Sequence, residues 1–346
     1  MAKLNYTTRL NNLQNRKFDK ELNESLLSKS FSSRELPDNI KYMVESMRAI
    51  DKKYNDRTYE AADRVKKHLH GGYDLHFGLA YRTQGSVTTG TNIKVHSDFD
   101  LLNIISSYYY PEKSNGTHYT ASNPDEDIKE LRKQAVEILK GIYKEVDDTG
   151  EKSVSIFNKS LNRKVDVVFG FWYNSVKYEE SNDSSDEYYR GIYLYKFPNG
   201  PRNSKVDYPF AYLSQVNSKG ILTSDGSRKG IRLLKTLRAD CETEIKKLKS
   251  FQLTSLVHNI DNNGLNYVAG KELSIAHSIS QEMDKIISNP EYRKTIKSPN
   301  GTEFPFLNDD IVPDVKRLKE DLDELIVDSA KEIIKSQVIE KAILNY

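Results

Sequence analysis

The sequence predicts an α+β fold in which a lobe with a mixed β-sheet is preceded by a long helix and followed by a helical lobe. Apolar residues recur at helical spacing after Pro37, and short apolar runs between residues 74 and 171 predict strands. Beyond about residue 210 the pattern becomes helical again. We therefore expect three parts: a polar N-terminal segment (1–35), a core lobe with its leading helix (36–210) and a helical lobe (211–346).

The leading helix is predicted from apolar residues three or four positions apart, and Gly71-Gly72 supplies its end. Its apolar positions are Ile40, Met43, Val44, Met47, Ile50 and Tyr54. The strand that follows, at 74–80, alternates apolar with other residues and leads into a turn at Gln84-Gly85-Ser86. A glycine at such a turn lets the backbone approach a bound phosphate closely, and the neighbouring serine hydroxyl can donate a hydrogen bond to it.

Two further strands carry acidic residues within apolar sequence. Residues 98–105 predict a strand whose period of two places Asp98, Asp100 and Leu102 on one face. The segments SVSIF and RKVDVVFGF predict a pair of strands, and Asp166 lies inside the second. The sequence therefore predicts three carboxylates in a mainly apolar sheet.

The remaining periodic segments predict helices. One begins at Asn123-Pro124, and its apolar face consists of Ile128, Leu131, Ile138, Leu139 and Ile142. In the helical lobe, apolar residues from Ile231 to Leu248 fall roughly along one face, and further helices are predicted at 270–288 and 313–343. The polar, acidic segment 178–189 predicts an exposed loop.

Composition excludes several classes of protein. The 52 basic and 50 acidic side chains give a net charge of +2, too small for the broad positive field that holds long nucleic acid. No apolar run approaches the roughly 18 residues of a membrane helix, and the single cysteine, Cys241, cannot form an internal disulfide. We expect a cytoplasmic monomer with neither a membrane nor long nucleic acid as partner. Eight Lys or Arg against three acids at residues 226–249, a local excess of five, favour a small anionic ligand.

The three carboxylates need a partner, because ionised carboxylates in an apolar site repel one another and are costly to bury. A divalent cation such as Mg²⁺ takes hard oxygen ligands of this kind. In two-metal phosphoryl transfer one ion activates the attacking hydroxyl and the other holds the leaving pyrophosphate. Asp98 and Asp100 could face both ions, and Asp166 could reach the ion nearest the nucleophile. An isolated Asp-x-Asp on a strand edge is more often a solvated feature that opposes aggregation, so the prediction depends on the whole set.

Other metal and nucleotide motifs are missing from the sequence. His96 is interpreted as a loop residue, because no second His or Cys lies at zinc-ligand spacing. The pattern G-x-x-x-x-G-K-[ST] does not occur, which argues against a P-loop nucleotide-hydrolysing enzyme.

The active-site pattern of the nucleotidyltransferases of the DNA polymerase β superfamily is similar to a set of residues in this chain: Gly85, Ser86, Asp98, Asp100 and Asp166. More specifically, the chain resembles the CD-NTases, the bacterial relatives of cyclic GMP-AMP synthase that act in CBASS anti-phage defence. The resemblance spans roughly residues 36–260. It implies a polymerase-β-type lobe, catalysis by the three aspartates, two Mg²⁺ ions for which Mn²⁺ can substitute, and nucleotide contacts from Gln84, Gly85 and Ser86.

The resemblance continues into the helical lobe. GIRLLKTLR is similar to the family's helix that supplies a triphosphate-binding lysine, here Lys235. KSFQLTSLV is similar to the segment in which a serine contacts the triphosphate and an aromatic residue stacks on the base, here Ser250 and Phe251. Lys235 on a solvated helix face and Phe251 in the core are the alternatives. Val87-Thr88-Thr89 after the Gly-Ser pair departs from the family pattern, in the part of the turn that bears on the acceptor.

The resemblance implies a template-independent enzyme that joins nucleoside triphosphates, such as ATP and GTP, into a cyclic dinucleotide or trinucleotide second messenger. The helical lobe would close the active-site cleft, and the product would act on a separate effector protein. A purine product such as cyclic di-GMP is expected. Two alternatives stay open: a nucleotidyltransferase that modifies RNA or a small molecule, and a catalytically silent nucleotide-sensing module. Three converging carboxylates favour an enzyme, because a pure binding module does not need them.

Overall fold

The computed structural model describes residues 4–19, 36–97, 99–113, 122–198, 200–201 and 206–344, with the backbone alone at residues 201 and 336–344. The described residues fall into two compact units. The sheet unit contains those within 51–90 and 96–214, and the helical unit contains those within 1–50, 91–95 and 215–346.

Helices precede, interrupt and follow a group of strands. In chain order the elements are α1 (Tyr6–Lys17), α2 (Asp38–Met47), α3 (Lys52–Gly72), β1 (Leu79–Gly85), β2 (Phe99–Pro111), α4 (Pro124–Ile142), β3 (Val146–Asp147), β4 (Ser153–Asn158), β5 (Arg163–Asn174), α5 (Val176–Ser181), β6 (Arg190–Lys196), β7 (Gly200–Pro201), α6 (Pro209–Leu222), α7 (Gly226–Asp240), α8 (Ser250–Asn259), α9 (Asn262–Leu265), α10 (Glu272–Ser288), α11 (Pro290–Thr295) and α12 (Val312–Leu344), with 3₁₀ turns at Glu187–Tyr189 and Asp309–Ile311.

The predicted α+β fold with a mixed sheet is confirmed. The sheet has the strand order β1-β2-β5-β4-β3, and β6 pairs with β5 and β7. β2 and β5 run parallel, whereas β1 is antiparallel to β2 and β4 is antiparallel to β5. The first half of β5 pairs with β4 and its second half pairs with β6. β5 therefore lies at the centre of the sheet.

The main core of the sheet unit lies between one face of the sheet and two helices. Its buried residues include Val65 of α3, Leu131 of α4, Leu101 of β2 and Val167 of β5. The opposite face of the sheet carries a smaller apolar cluster, formed by Leu102, Ile104, Val168, Trp172, Ile192 and Leu194. Successive residues of a strand point to opposite faces, so both clusters use the same two central strands.

The predicted long leading helix is two helices. α2 ends at Met47, the backbone at Arg48 is extended, and the Asp51 side chain accepts a hydrogen bond from the Lys53 N–H at the start of α3. The helical spacing of apolar residues runs through this break because Ile50 is buried in the connection. The units also differ from the predicted boundaries, since α2 belongs to the helical unit. Arg232 of α7 donates from Nε to the Met47 carbonyl, which ties α2 to α7.

In the helical unit, α10 and α12 confirm the helices predicted at 270–288 and 313–343. α7 ends earlier than the apolar pattern predicted, at Asp240, whose carboxylate accepts two hydrogen bonds from Arg16 and one from Tyr42. Ile245 and Leu248, which were expected on the same helix face, are buried in the connection that follows. Within the described ranges, no helix is both long enough and apolar enough to cross a bilayer.

Candidate active site

Four polar residues occupy matching positions on adjacent strands of the sheet. Asp100 of β2 lies opposite Gln84 of β1 and, on its other side, opposite Asp166 of β5. Asp166 in turn lies opposite Ser155 of β4. Residues paired across strands project from the same face, so these four form one line across the sheet, which we call the carboxylate row. All four side chains are half-buried.

The carboxylates of the row are held by their neighbours. Gln84 donates from Nε2 to Oδ2 of Asp100 over 3.0 Å, and the Ser155 hydroxyl donates to Oδ1 of Asp166. Lys164, two residues before Asp166, places its Nζ 3.1 Å from Oδ2 of the same carboxylate. The Asp166 side chain is 13% exposed, whereas that of Lys164 is 51% exposed. A solvated ammonium thus contacts the Asp166 carboxylate.

This donor set fits a divalent cation. Two carboxylates at neighbouring positions supply hard oxygen ligands of the kind that such a cation takes. Asp98, the third predicted carboxylate, lies outside the described residues. Among the residues that are described, no group of three or more His, Cys, Asp or Glu side chains is arranged to hold a metal ion. His96 lies in an exposed loop, as expected.

The turn after β1 has the geometry expected of the Gly-Ser pair. Gly85 has a φ of +122°, which side chains rarely tolerate. Thr88 donates from its hydroxyl to the Gly85 carbonyl over 2.7 Å, and Thr89 donates to the Ser86 carbonyl over 3.2 Å. Val87 is buried in the main core of the sheet unit. The residues that depart from the family pattern therefore stabilise the turn.

Lys235 lies in the helical unit and is 9% exposed, so the solvated-face interpretation is wrong. Its Nζ donates to the carbonyl of Thr91 over 3.1 Å and contacts the Thr91 hydroxyl oxygen at 3.3 Å. Burial, together with the nearby charges of Arg232 and Arg238, lowers the pKa of Lys235 from 10.5 to about 8. A buried ammonium near other cations favours an anionic partner.

Ser250 and Phe251 open α8, which packs against α7 in the helical unit. Ser250 is exposed at the first position of the helix, and Phe251 is half-buried. Phe251 is therefore not a fully buried core residue. The structure thus brings Gln84, Asp100 and Asp166 together in the sheet unit, and it gives Lys235, Ser250 and Phe251 to the helical unit.

Sequence reasoning missed Ser155 and Lys164. Lys164 shares the strand face of Asp166, so its spacing of two could have identified it. Ser155 lies between buried Val154 and Ile156, so the alternation predicts that its side chain points to the more exposed face of the strand. The alternation does not predict which residue of the neighbouring strand lies opposite.

Comparison with known proteins gives several relatives over most of the chain, although no protein-family model matches. A "Cyclic dinucleotide synthase CdnE" from Yersinia aleksiciae is 30% identical, with 89% of this chain and 81% of that protein covered. A "c-di-GMP synthase" from Capnocytophaga granulosa is 29% identical, with 90% of this chain and 93% of that protein covered.

Solved structures agree with these relatives. The STING-associated CdnE c-di-GMP synthase from Capnocytophaga granulosa aligns with a TM-score of 0.77 and 29% identity, over 94% of this chain and 98% of that one. A STING-associated CdnE c-di-GMP synthase from Flavobacteriaceae sp. aligns with a TM-score of 0.80 and 27% identity, over 94% of this chain and 99% of that one. A CdnE c-UMP-AMP synthase from Rhodothermus marinus, with a TM-score of 0.63 and 16% identity over 82% of this chain and 94% of that one, has the same fold.

Proposed function

The chain belongs to the CD-NTase family of nucleotidyltransferases, and we propose that it joins nucleoside triphosphates, without a template, into a cyclic dinucleotide second messenger. The observation that carries the proposal is the carboxylate row, in which Asp100 and Asp166 are neighbours on parallel strands, in a chain whose relatives are named cyclic dinucleotide synthases. A catalytically silent module would not need this pair.

We propose that Asp100 and Asp166, completed by Asp98, hold two Mg²⁺ ions, for which Mn²⁺ can substitute. When bound, such ions lower the pKa of an attacking hydroxyl and neutralise the leaving pyrophosphate. The residues of the chain orient the ligands. Gln84 holds one oxygen of Asp100, and Ser155 and Lys164 each hold an oxygen of Asp166, which fixes the orientation of both carboxylates.

The Gly-Ser turn is proposed to bind phosphate oxygens. Gly85 adopts a positive φ and has no side chain to lie between the backbone and a ligand. The hydroxyl of Ser86 adds a hydrogen-bond donor. The hydrogen bonds from Thr88 and Thr89 hold the turn before substrate arrives, which reduces the entropy lost on binding.

Lys235 and Ser250 are proposed to bind the donor triphosphate, and Phe251 to stack on its base. With a pKa of about 8, the Lys235 ammonium is mostly protonated at neutral pH, so it carries the positive charge that a triphosphate requires. Ser250 adds an exposed hydroxyl, and the half-buried ring of Phe251 offers one face to a planar group.

The reaction consists of two transfers. In the first, a ribose hydroxyl of the acceptor attacks the α-phosphorus of the donor, a P–O bond forms, pyrophosphate leaves and the hydroxyl proton passes to solvent. The linear product still has a 5′-triphosphate, which becomes the donor of the second transfer and closes the ring. A near-neutral chain suits this reaction, because neither transfer involves a long polyanion.

We propose GTP as the substrate and cyclic di-GMP as the product, because several curated relatives at 29–31% identity are named c-di-GMP synthases. Two neighbours of known structure are described as STING-associated, so the product is proposed to act on a separate effector in anti-phage defence. The protein itself is proposed to act as a monomer, without nucleic acid.

The test is incubation of the protein with labelled ATP, GTP, CTP and UTP, singly and together, with Mg²⁺ or Mn²⁺ and no nucleic acid. Phosphatase treatment and mass analysis of the products follow. We expect a phosphatase-resistant product from GTP alone, because a ring has no terminal phosphate. Phosphatase-sensitive ladders, or activity that requires added tRNA or an antibiotic, would refute cyclisation. A resistant product from another set of nucleotides would refute only the choice of GTP.

A further inference from the structure

A cavity of about 340 Å³ lies at the end of β4 in the sheet unit. Its walls come from α3, the segment that follows α4, and the turn between β4 and β5. No residue of the carboxylate row lines it. Sites for small molecules typically have volumes of about 300–1,000 Å³, so this cavity is large enough for a small organic ligand.

The charged side chains that line the cavity are mostly basic. They are Arg64, Lys144 and Lys159, with Glu145 as the acidic exception. Lys159 and Glu145 are exposed and 3.6 Å apart, a separation at which an ion pair contributes little. The lining therefore attracts anions.

Arg64 is already oriented towards the cavity wall. Its Nη2 lies 2.6 Å from a carboxylate oxygen of Glu60, one turn earlier in α3, and its Nη1 donates to the Ser160 hydroxyl over 3.0 Å. Ser160 in turn donates to Oδ1 of Asn158 over 2.9 Å. These contacts hold the guanidinium beside the β4–β5 turn, where little further entropy would be lost on binding an anion.

Other donors in the cavity wall are unpaired. In the part of the chain that the structure describes, the ammonium of Lys144 and the ring nitrogens of His68 have no hydrogen-bond partner. The buried hydroxyl of Tyr143 has none either. The ring of Tyr143 packs edge-on against that of His68, with the centroids 5.9 Å apart. A buried hydroxyl without a partner is costly, and an acceptor bound in the cavity would remove that cost.

An apolar surface lies beside these donors. Ile142, the last residue of α4, was expected on the buried apolar face of that helix but is 47% exposed, and Phe157 is half-buried at the end of β4. Both line the cavity. A ligand that covers them needs an apolar part next to its anionic group.

We propose that this cavity binds a small organic anion. Its phosphate or carboxylate group would face Lys144, Lys159 and Arg64, and a flat apolar part would cover Ile142 and Phe157. This is a second binding site, separate from the carboxylate row, and it does not depend on the proposed function.

The test uses phenyl phosphate, benzoate and inorganic phosphate as probes, titrated into the metal-free full-length protein by isothermal titration calorimetry. Phenyl phosphate and benzoate distinguish the two anionic groups, and inorganic phosphate lacks the apolar part. We compare the wild type with Lys144→Ala/Lys159→Ala. The matched control is Lys129→Ala/Lys133→Ala, which removes the same charge from exposed positions of α4.

Phenyl phosphate or benzoate should bind the wild type and the control variant within about twofold of each other, and the cavity variant at least about tenfold more weakly, because charge-assisted contacts are lost. Equal affinity in all three proteins would overturn the proposal, as would no binding by either aromatic probe at millimolar concentration. Inorganic phosphate that binds as tightly as phenyl phosphate would overturn the apolar half of the site. Product formation from nucleotides should be the same in both variants, so failure here is separable from failure of the proposed function.

Discussion

Lys235 is expected to make the folded protein less stable at neutral pH than an apolar side chain would at that position. Burial lowers the pKa of its ammonium from 10.5 to about 8, and Arg232 and Arg238 act in the same direction. This lowering corresponds to about 3 kcal/mol of folding free energy. Lys235 also makes two hydrogen bonds to Thr91 that an apolar side chain could not make. Each of them stabilises the folded state by about 1 kcal/mol and so offsets part of this cost.

The direction of the pH dependence follows from the two pKa values of Lys235. Below about pH 8 the folded and unfolded states both hold the proton. Between about pH 8 and pH 10.5 the unfolded state holds more protons than the folded state, because the folded pKa is the lower one. The free energy of unfolding should therefore rise with pH across that window, by about 3 kcal/mol for this group alone.

The perturbation is Lys235→Met, and the assay is urea unfolding followed by circular dichroism from pH 7 to 10.5. We expect the variant to be more stable than the wild type by about 1–2 kcal/mol at pH 7, and this difference to fall by about 3 kcal/mol and change sign as the pH approaches 10.5. Lys17, whose pKa burial lowers to about 7, titrates in both proteins and cancels in the difference. Lys246→Met, at an exposed position, is the control.

A constant difference between wild type and Lys235→Met at all pH values would refute the reasoning about burial. The same variant tests the functional role. Losing a charge-assisted contact to phosphate should raise the apparent KM for the triphosphate by about tenfold to a hundredfold. A stabilised variant with unchanged KM and kcat would show that Lys235 is buried for another reason.

Three further outcomes are expected. Asp98→Asn/Asp100→Asn should abolish product formation while circular dichroism shows the fold retained, because the metal ligands lose their charge; wild-type turnover would contradict the metal site. Ser155→Ala should lower kcat by about tenfold with the fold retained, since loss of the hydroxyl that orients Asp166 should raise the activation free energy by about 1–1.5 kcal/mol, whereas Ser153→Ala should have no effect. Gly85→Ala should reduce affinity for triphosphate and destabilise the turn by about 1–2 kcal/mol, because its φ is +122°; an unchanged urea midpoint and KM would argue that the turn needs no glycine.

The positions of Asp100 and Asp166 on one sheet face could be predicted because strand periodicity depends only on local sequence. The partnership of Ser155 with Asp166 could not, since it depends on which strand lies beside β5 and in which register. The burial of Lys235 left no signal in the sequence, because its partners are the carbonyl and hydroxyl of Thr91 rather than an acidic residue at a recognisable spacing. The break before α3 did leave a signal in the sequence, because Asp51 is a favourable residue for a helix N-cap. The apolar spacing continues across the break, however, and therefore predicted one long helix.

The pairing of β2 with β5 explains why two carboxylates can be neighbours without disrupting the fold. These strands are parallel, and a parallel pair requires a crossover connection, here the segment that contains α4. α4 covers one face of the sheet, where Leu101 and Val167 are fully buried, while Asp100 and Asp166 alternate with them on the other face.

A slip of one residue in the register of either strand would exchange these faces and bury a carboxylate beneath α4. Burial of an unpaired carboxylate costs several kcal/mol, and the apolar residues it displaced would lose a further ~1.5–3 kcal/mol each. The alternation that builds the core therefore also fixes the alignment of Asp100 with Asp166. Substitutions at Leu101 or Val167 should for this reason reduce activity through loss of the fold, whereas substitutions of the carboxylates should reduce activity with the fold intact.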